Sequence, residues 1–355
     1  MQPKKNVYIL AAEQIIDGRG DFNRSNEIIG KAQSIGLKFQ TYTIDPLKAG
    51  WNTPLENNHF RSGNSPFEAI KKASSDIKSN LADIAVISGR DYLKSEYSRD
   101  ERLSMMEIYE DKTLIELYTQ LACQWCKQHK ITQLQFKHLA KLLWKNYRST
   151  YEQRHQIDLP KTPKKWLAPI TSLFRGVDCA NPSMDYEGKL ILIEKNTLRK
   201  LNTDIKPIGY IESIATENIE FKNLETIPEI AKFEHLKQVI QDCETQSKIH
   251  IKDLFLRNQL ILEVYTCFPI IPLAFITSAG IATNYQELEK VLKIHPVTLT
   301  GGMNLAKAPW NNPALRAIID AVTLLKTNTE KRIGIHGNGG LGEKQGLIIL
   351  KGSSK

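Results

Sequence analysis

The sequence predicts an α/β fold of two related halves, and three observations predict it. Short apolar, β-branched runs bounded by turn residues alternate with stretches of helical periodicity. Two segments far apart in the chain share one layout of helix start, strand and glycine. A basic stretch with helical patterning and no strand signal interrupts the first half. Strands alternating with helices call for mostly parallel or mixed sheets covered by helices.

Taken in order, the strand signals fall at 6–11, 39–44, 82–87, 189–193, 208–214, 260–267, 297–299, 332–336 and 347–350. Helical spacing is clearest at 66–79, 103–129, 133–148, 228–243, 285–293 and 313–326. In the first of the two similar segments, Ser65-Pro66-Phe67-Glu68 opens a helix that leads to the strand at 82–87 and then Gly89. In the second, Asn312-Pro313-Ala314 opens a helix that leads to the strand at 332–336 and then Gly337. Each start sets a capping side chain before a proline, whose missing N–H costs nothing at the first helical position. Glu68 completes a capping box with Ser65. The halves are expected at 1–204 and 205–355, with the break near 202–206 and an insertion at about 91–166 in the first half.

A chain of 355 residues accommodates two packed α/β halves, and 41% apolar with 25% charged residues is ordinary for a soluble globular protein. Lys4 and Lys5 precede a short apolar run that Glu13 and Asp17 end at once, so no secretory signal is expected. No stretch approaches the roughly 20 apolar residues that span a bilayer. The five cysteines are odd in number and scattered, which argues against a disulfide framework and makes the cytoplasm the default compartment. Between residues 127 and 165 stand ten Lys or Arg against two acids, Glu152 and Asp158, and this local +8 nearly equals the net +9 of the whole chain. Such a stretch attracts phosphates, on nucleic acid or on a cofactor, or forms a solvated helix face.

The most specific sequence lies near the C-terminus. Thr298-Leu299-Thr300-Gly301-Gly302 is followed by Pro309, Asn311 and Asn312, and Gly337-Asn338-Gly339-Gly340-Leu341-Gly342 lies between two strands. Glycines so placed let the backbone turn sharply and approach a ligand or another segment closely. Here the chain resembles the thiolase superfamily, and within it proteins related to sterol-carrier-type thiolases and acetyl-CoA acetyltransferases. The Gly301-Gly302 turn with Pro309 is similar to the family's Gly-His-Pro loop. Residues 337–342 resemble its second glycine loop, which usually carries a cysteine. Glu263-Val264-Tyr265-Thr266-Cys267-Phe268-Pro269 resembles the segment that reads His-Asp-Cys-Phe or Asn-Glu-Ala-Phe. Asp178-Cys179-Ala180-Asn181-Pro182-Ser183 is similar to the run entering the last strand of the first half. Ser62-Gly63-Asn64-Ser65-Pro66, with its helix and Gly89, resembles the nucleophile loop. The likeness covers most of the chain from about residue 58 onward and is weaker before it, where the chain is some tens of residues short and lacks room for one strand–helix pair.

The resemblance implies two βαβαβαββ halves in five layers, pairing of subunits through the first half, and acyl-CoA or coenzyme A as ligand. It also implies that the basic insertion is the loop domain that holds coenzyme A. The positions matching the family's catalytic groups read Gly63, Tyr265, Ala308 and Gly337, so the Cys/His/Cys set is replaced at every position. Thioester chemistry needs a thiolate, a base and oxyanion donors. Ser65 and Cys267 are the candidate substitutes, although Ser65 also reads as a helix cap and Cys267 as a small buried side chain. The resemblance gives Gly301, Gly302, Lys307, Asn338, Gly339 and Gly340 as substrate-binding candidates. His336 and Asn338 also read as satisfied turn residues. Cys123-Gln124-Trp125-Cys126 has metal spacing but lies within a helical pattern and reads as packing, so no metal is expected. No nucleotide-binding glycine motif occurs.

The expectation is therefore a thiolase-like protein that binds acyl-CoA, or serves as a partner subunit in a homodimer or a heteromer with an active thiolase-type subunit. The alternative is an active acyltransferase or hydrolase using Ser65, Tyr265 or Cys267. A further reading is nucleic-acid binding through the insertion, with Phe136, Trp144, Tyr147 and Tyr151 stacking on bases. No membrane association is expected.

Overall fold

The computed structural model describes residues 6–109, 112–180, 182–201 and 205–353. Lys4, Lys5, Asn181 and most of the expected break, at 202–204, lie outside the described residues. The strands are β1 (Val7–Ile16), β2 (Phe39–Ile44), β3 (His59–Phe60), β4 (Ile84–Tyr92), β5 (Asp185–Glu194), β6 (Gly209–Asn218), β7 (Leu260–Glu263), β8 (Arg332–Gly339) and β9 (Lys344–Gly352). The first seven helices are α1 (Asn23–Ser34), α2 (Ser65–Lys78), α3 (Arg99–Met106), α4 (Leu114–Gln128), α5 (Gln133–His155), α6 (Lys164–Leu167) and α7 (Lys195–Lys200). The remainder are α8 (Ile227–Ile230), α9 (Glu234–Ser247), α10 (Ile251–Leu256), α11 (Ile270–Ser278), α12 (Tyr285–Ile294), α13 (Met303–Ala306) and α14 (Pro313–Leu325).

The strands follow the order β3-β2-β4-β5-β1-β6-β9-β8-β7. Both halves share one plan: the first strand (β1 or β6) runs antiparallel to the last (β5 or β9), which runs antiparallel to the strand before it (β4 or β8). Each first strand also carries a register shift near its start, between Ile9 and Ala11 in β1 and between Ile211 and Ser213 in β6. The half-sheets join edge to edge where Val7 to Ile9 meet Gly209 to Ile211, giving nine strands in one hydrogen-bonded order.

Alternation along each strand sorts side chains into layers. Ala85 and Ile87 of β4, Leu190 and Leu192 of β5, and Ile348 and Leu350 of β9 face one central core. Helices α2 and α14 fill that core: α2 packs on β2 and β4 from one half and β6 and β9 from the other, and α14 spans β1, β5, β8 and β9. Ile84, Val86, Ile191 and Ile193 point the other way, under α1. Leu347 and Ile349 point outward under α9. The result is helix, sheet, helix, sheet, helix: five layers.

The insertion leaves the first half but packs on the second. Trp125, Phe136 and Leu139 share a core with Leu236, Ile240 and Phe275, and Asn146 Nδ2 donates to the carbonyls of Leu292 and His295 at 2.9 and 2.8 Å. β4 runs through Tyr92, so Asp91, taken as the insertion's first residue, belongs to the strand.

Several local expectations change. The single helix at 103–129 is two, because Ser98 with Glu101 and Thr113 with Glu116 each build a capping box. Conversely, the Ser65–Glu68 box does not form: α2 begins at Ser65 itself, the Ser65 hydroxyl donates to the Ser62 carbonyl at 2.7 Å, and Glu68 accepts from Asn64. Asn312 does not cap α14 either, since its amide donates to Asp91 at 3.1 Å. Residues 297–299 are not a strand. The Glu263 carboxylate takes the N–H groups of Leu299 and Thr300 at 2.5 and 2.8 Å, and Asn146 Oδ1 takes that of Val297 at 3.1 Å, so a side chain occupies each donor a ladder would use. The shortened region keeps all five strands of its half. What it lacks, among the described residues, is a helix between β2 and β3, where a 3-10 turn at Leu47–Ala49 is tied down by buried Arg61 bonded to Asp45, Gly50 and Thr53.

Burial pushes the Glu263 carboxyl up to about 7, against the hydrogen bonds that favour its ionised form. A carboxyl held higher in the folded than the unfolded state binds more protons when folded, so its contribution falls as pH rises between about 4.5 and 7. The stability advantage of the native protein over Glu263→Gln is thus expected to be larger at pH 5 than at pH 8 in urea unfolding. An advantage that grows with pH contradicts this placement.

Candidate functional site

Segments of both halves converge beyond the start of α2. Among them are the turn at Gly63, Tyr265 to Phe268 after β7, Asn338 to Gly340 at the end of β8, the loop Pro309 to Asn311, Cys179 and Ala180 before β5, and Leu103, Met106, Leu114 and Tyr118 of the insertion. They enclose a cavity of about 200 Å³. Gly63 stands at its polar end, where the approach is extreme. A Cβ on residue 63 would lie 2.2 Å from the Tyr265 hydroxyl oxygen and 2.4 Å from the Asn338 carbonyl oxygen. The preceding Ser62 has φ 155°, a conformation side-chain-bearing residues rarely adopt, and its hydroxyl accepts from the Asn64 N–H at 3.2 Å.

Buried polar groups hold this geometry. Asp91, at the end of β4, is fully buried; it accepts from the Leu47 N–H at 2.8 Å and from the Trp310 N–H, Asn311 N–H and Asn312 amide at 3.1 Å each. Burial pushes its carboxyl up to about 6 while these four bonds pull it back. It thereby fixes the loop carrying Trp310 and Asn311 against the first half, and Asn311 adds a bond to the Asp45 carbonyl at 2.9 Å. On the opposite wall the Asn338 amide donates to the Tyr118 hydroxyl at 3.0 Å, which donates to the Gly340 carbonyl at 2.8 Å. Gln345 donates to Asn338 at 2.7 Å and bonds His336 at 2.7 Å. Tyr118 thus couples the insertion to the glycine turn of the second half.

The reactive inventory is sparse. Among the described residues the lining holds no histidine and one carboxylate, the exposed Glu107. Burial pushes the Cys267 thiol up to about 12, and it sits 3.6 Å from the Tyr118 hydroxyl. Burial also raises Cys179 and lifts Tyr265 well above the usual tyrosine range. The Tyr265 hydroxyl has no hydrogen-bond partner among the described residues, so it is a donor facing the cavity. Ser65 spends its hydroxyl on the Ser62 carbonyl. His336 is buried against Phe275 within β8, not in a turn, and desolvation pushes it down to about 4.

Of the residues singled out from sequence, Gly63, Tyr265, Cys267, Asn338, Gly339 and Gly340 line the cavity. Gly301 and Gly302 do not: a Cβ on Gly301 would press on Tyr151 of α5 at 2.6 Å, and one on Gly302 on Thr266 at 2.7 Å. Their positive φ angles, 90° and 74°, serve the turn itself. Lys307 is exposed outside the cavity, and Ala308 is buried beside Pro309, which does line it. A Cβ on Gly337 would meet the Phe67 ring at 2.1 Å. Cys123 and Cys126 join the insertion core, and no group of three metal-ligating side chains is found among the described residues. Phe136 and Tyr147 are buried, whereas Trp144 and Tyr151 are half-buried, so the four rings do not share one exposed stacking surface. Sequence reading missed Tyr118, Trp310 and Asp91. The first two carry no motif, and Asp91 was legible only as a lone acid after a strand.

Gly63→Cys is expected to lower unfolding stability by about 1–3 kcal/mol in urea, because overpacking here meets a backbone carbonyl that cannot move aside alone. A variant as stable as the native protein would contradict the close approach.

No family model matches the chain, and no curated protein matches it. Solved structures do. A monomeric SCP2-thiolase-like protein type 1 from Mycobacterium smegmatis superposes with a TM-score of 0.68 at 15% identity, covering 100% of this chain and 79% of that one. Human mitochondrial 3-ketoacyl-CoA thiolase in complex with CoA gives 0.66 at 13% identity, covering 98% of each chain. The Ltp2-ChsH2(DUF35) aldolase gives 0.63 at 14% identity, covering 99% of this chain and 98% of that one. The chain has the thiolase fold.

Proposed function

We propose that this is a cytoplasmic protein of the thiolase superfamily that binds an acyl-CoA, or serves as a partner subunit, without forming an acyl-enzyme. The observation that carries the reading is the glycine at residue 63. The position at the tip of α2 that resembles the family's nucleophile loop has no side chain and no space for one beside Tyr265 and Asn338. Acyl transfer through a thiolate needs a thiol whose pKa is lowered and a base within reach. Here the cavity's thiols are raised by burial and, among the described residues, no histidine lines it. Binding needs less. The apolar walls suit an acyl group, and the free Tyr265 hydroxyl suits a carbonyl oxygen.

Coenzyme A as the ligand is supported by the thiolase neighbour in complex with CoA. A partner subunit is supported by the Ltp2-ChsH2(DUF35) neighbour, named for two components. An active enzyme using Ser65, Tyr265 or Cys267 would have to release a hydroxyl already bonded to the Ser62 carbonyl, or ionise a group that burial keeps protonated.

Incubation with acetyl-CoA is expected to leave the intact mass unchanged while raising the melting temperature; saturation at about 100 times Kd corresponds to about 2.7 kcal/mol of stabilisation. A covalent acyl adduct abolished by Ser65→Ala or Cys267→Ala would replace this reading with the active enzyme. Absence of any melting shift would remove the ligand.

A further inference from the structure

The insertion, whose basic excess the resemblance assigns to coenzyme A, also carries a concavity apart from the central cavity. Helix α5 forms one wall and residues 161–175 form the other, and between them lie two clefts of about 520 Å³ each that share His138, Lys141, Leu167 and Arg175. Phe174 on the floor packs tilted against Phe268, with ring centroids 5.4 Å apart, and Phe268 lines the central cavity, so these two rings stand between the sites.

Charge in this groove is uncompensated on one side only. Lys137, Lys141 and Lys145 recur every fourth residue on α5, about 6 Å apart along its axis, and Lys161 stands in the second cleft. All four are exposed and have no ion pair or hydrogen bond among the described residues. The acids nearby are already committed: Asp178 to Arg175 at 2.6 Å, and Glu289 to Lys293 and His138 at 2.5 and 3.3 Å. Arg148 is held by Glu152 and by the carbonyls of Leu159 and Pro160. The surface between the lysines is aliphatic, with Leu134 79% and Leu167 38% exposed. Exposed leucines rimmed by unpaired lysines suit a partner that brings apolar anchors flanked by acids.

We propose that this groove docks an acidic amphipathic helix of a partner protein. The clefts succeed one another along α5 by roughly six residues, about 9 Å, close to the roughly 10 Å between positions i and i+7 of a helix. Apolar anchors at that spacing enter the two clefts without filling them, and carboxylates flanking them meet the lysine row and Lys161. Nucleic acid would meet the same lysines, but Phe136 and Tyr147 are buried and Trp144 is the one Phe, Tyr or Trp of α5 that lines the clefts among the described residues, so no row of stacking rings faces the groove. The inference does not rest on the acyl-CoA reading and survives its failure.

The test uses the full chain and a fluorescein-labelled 18-residue helical peptide with leucines at i, i+3 and i+7 and glutamates flanking them. Fluorescence anisotropy is expected to show saturable binding that weakens as salt rises. Combined Lys137→Glu, Lys141→Glu and Lys145→Glu should weaken it at least about tenfold, and Leu167→Asp should do so independently. Neither change should move the melting temperature, since both lie on the surface. A scrambled peptide of the same composition should bind at least about tenfold more weakly. The proposal is overturned if the peptide fails to bind, if Leu167→Asp has no effect, if a 20-nucleotide oligothymidylate binds tighter through the same lysines, or if coenzyme A displaces the peptide.

Discussion

The structure turns on one close approach. At the tip of α2 the backbone of Gly63 runs against the Tyr265 hydroxyl and the Asn338 carbonyl, and only a residue without a Cβ fits between them. That contact ties together the first half through α2, the segment after β7, and the end of β8. In an architecture whose two sheets share a central helical layer, this is where the halves' loops meet, and a ligand pocket there is a natural consequence of the topology. In this chain the Tyr265 hydroxyl occupies the space that a Cβ on residue 63 would need.

Buried carboxylates do much of the remaining positioning. Asp91 collects four donors from two segments and sets the Trp310 wall, and Glu263 collects the donors of Leu299 and Thr300 and sets the loop before α13. Each is costly to bury as an anion, and each is surrounded by donors that favour the anion. Their value here is geometric: they hold irregular loops where no sheet ladder reaches. The insertion adds the last wall through Tyr118, so the cavity exists only when a segment from the first half is packed on the second.

Much of this was legible from sequence, for identifiable reasons. Runs of β-branched residues marked eight of the nine strands, with 39–44 matching residue for residue, but missed the two-residue β3 at His59–Phe60 and added a strand at 297–299 that does not form. The lack of strand signals after residue 91 agrees with the absence of a named strand between β4 and β5 among the described residues. Gly63, Tyr265 and Asn338 were picked out by glycine motifs and by resemblance, and they do share one cavity. Other features were hidden by context. Helix α11 is buried on almost every side, so its uniformly apolar sequence has no polar face to reveal its period. The capping signatures Ser98–Glu101 and Thr113–Glu116 were present but lay inside a run that read as one continuous helix. Gly301 and Gly302 looked like ligand-facing glycines, yet they serve packing against Tyr151 and Thr266, a distinction that spacing alone does not carry. The loss of the strand at 297–299 depends on Glu263 and Asn146, which are distant from it in sequence.

The most direct measurement is a crystal structure of the protein soaked with acetyl-CoA. The account predicts an intact thioester whose acetyl group lies in the cavity between Trp310 and Phe268, with its carbonyl oxygen within hydrogen-bonding distance of the Tyr265 hydroxyl. An acetylated side chain, or a Tyr265 ring swung away to admit a nucleophile from elsewhere, would contradict it.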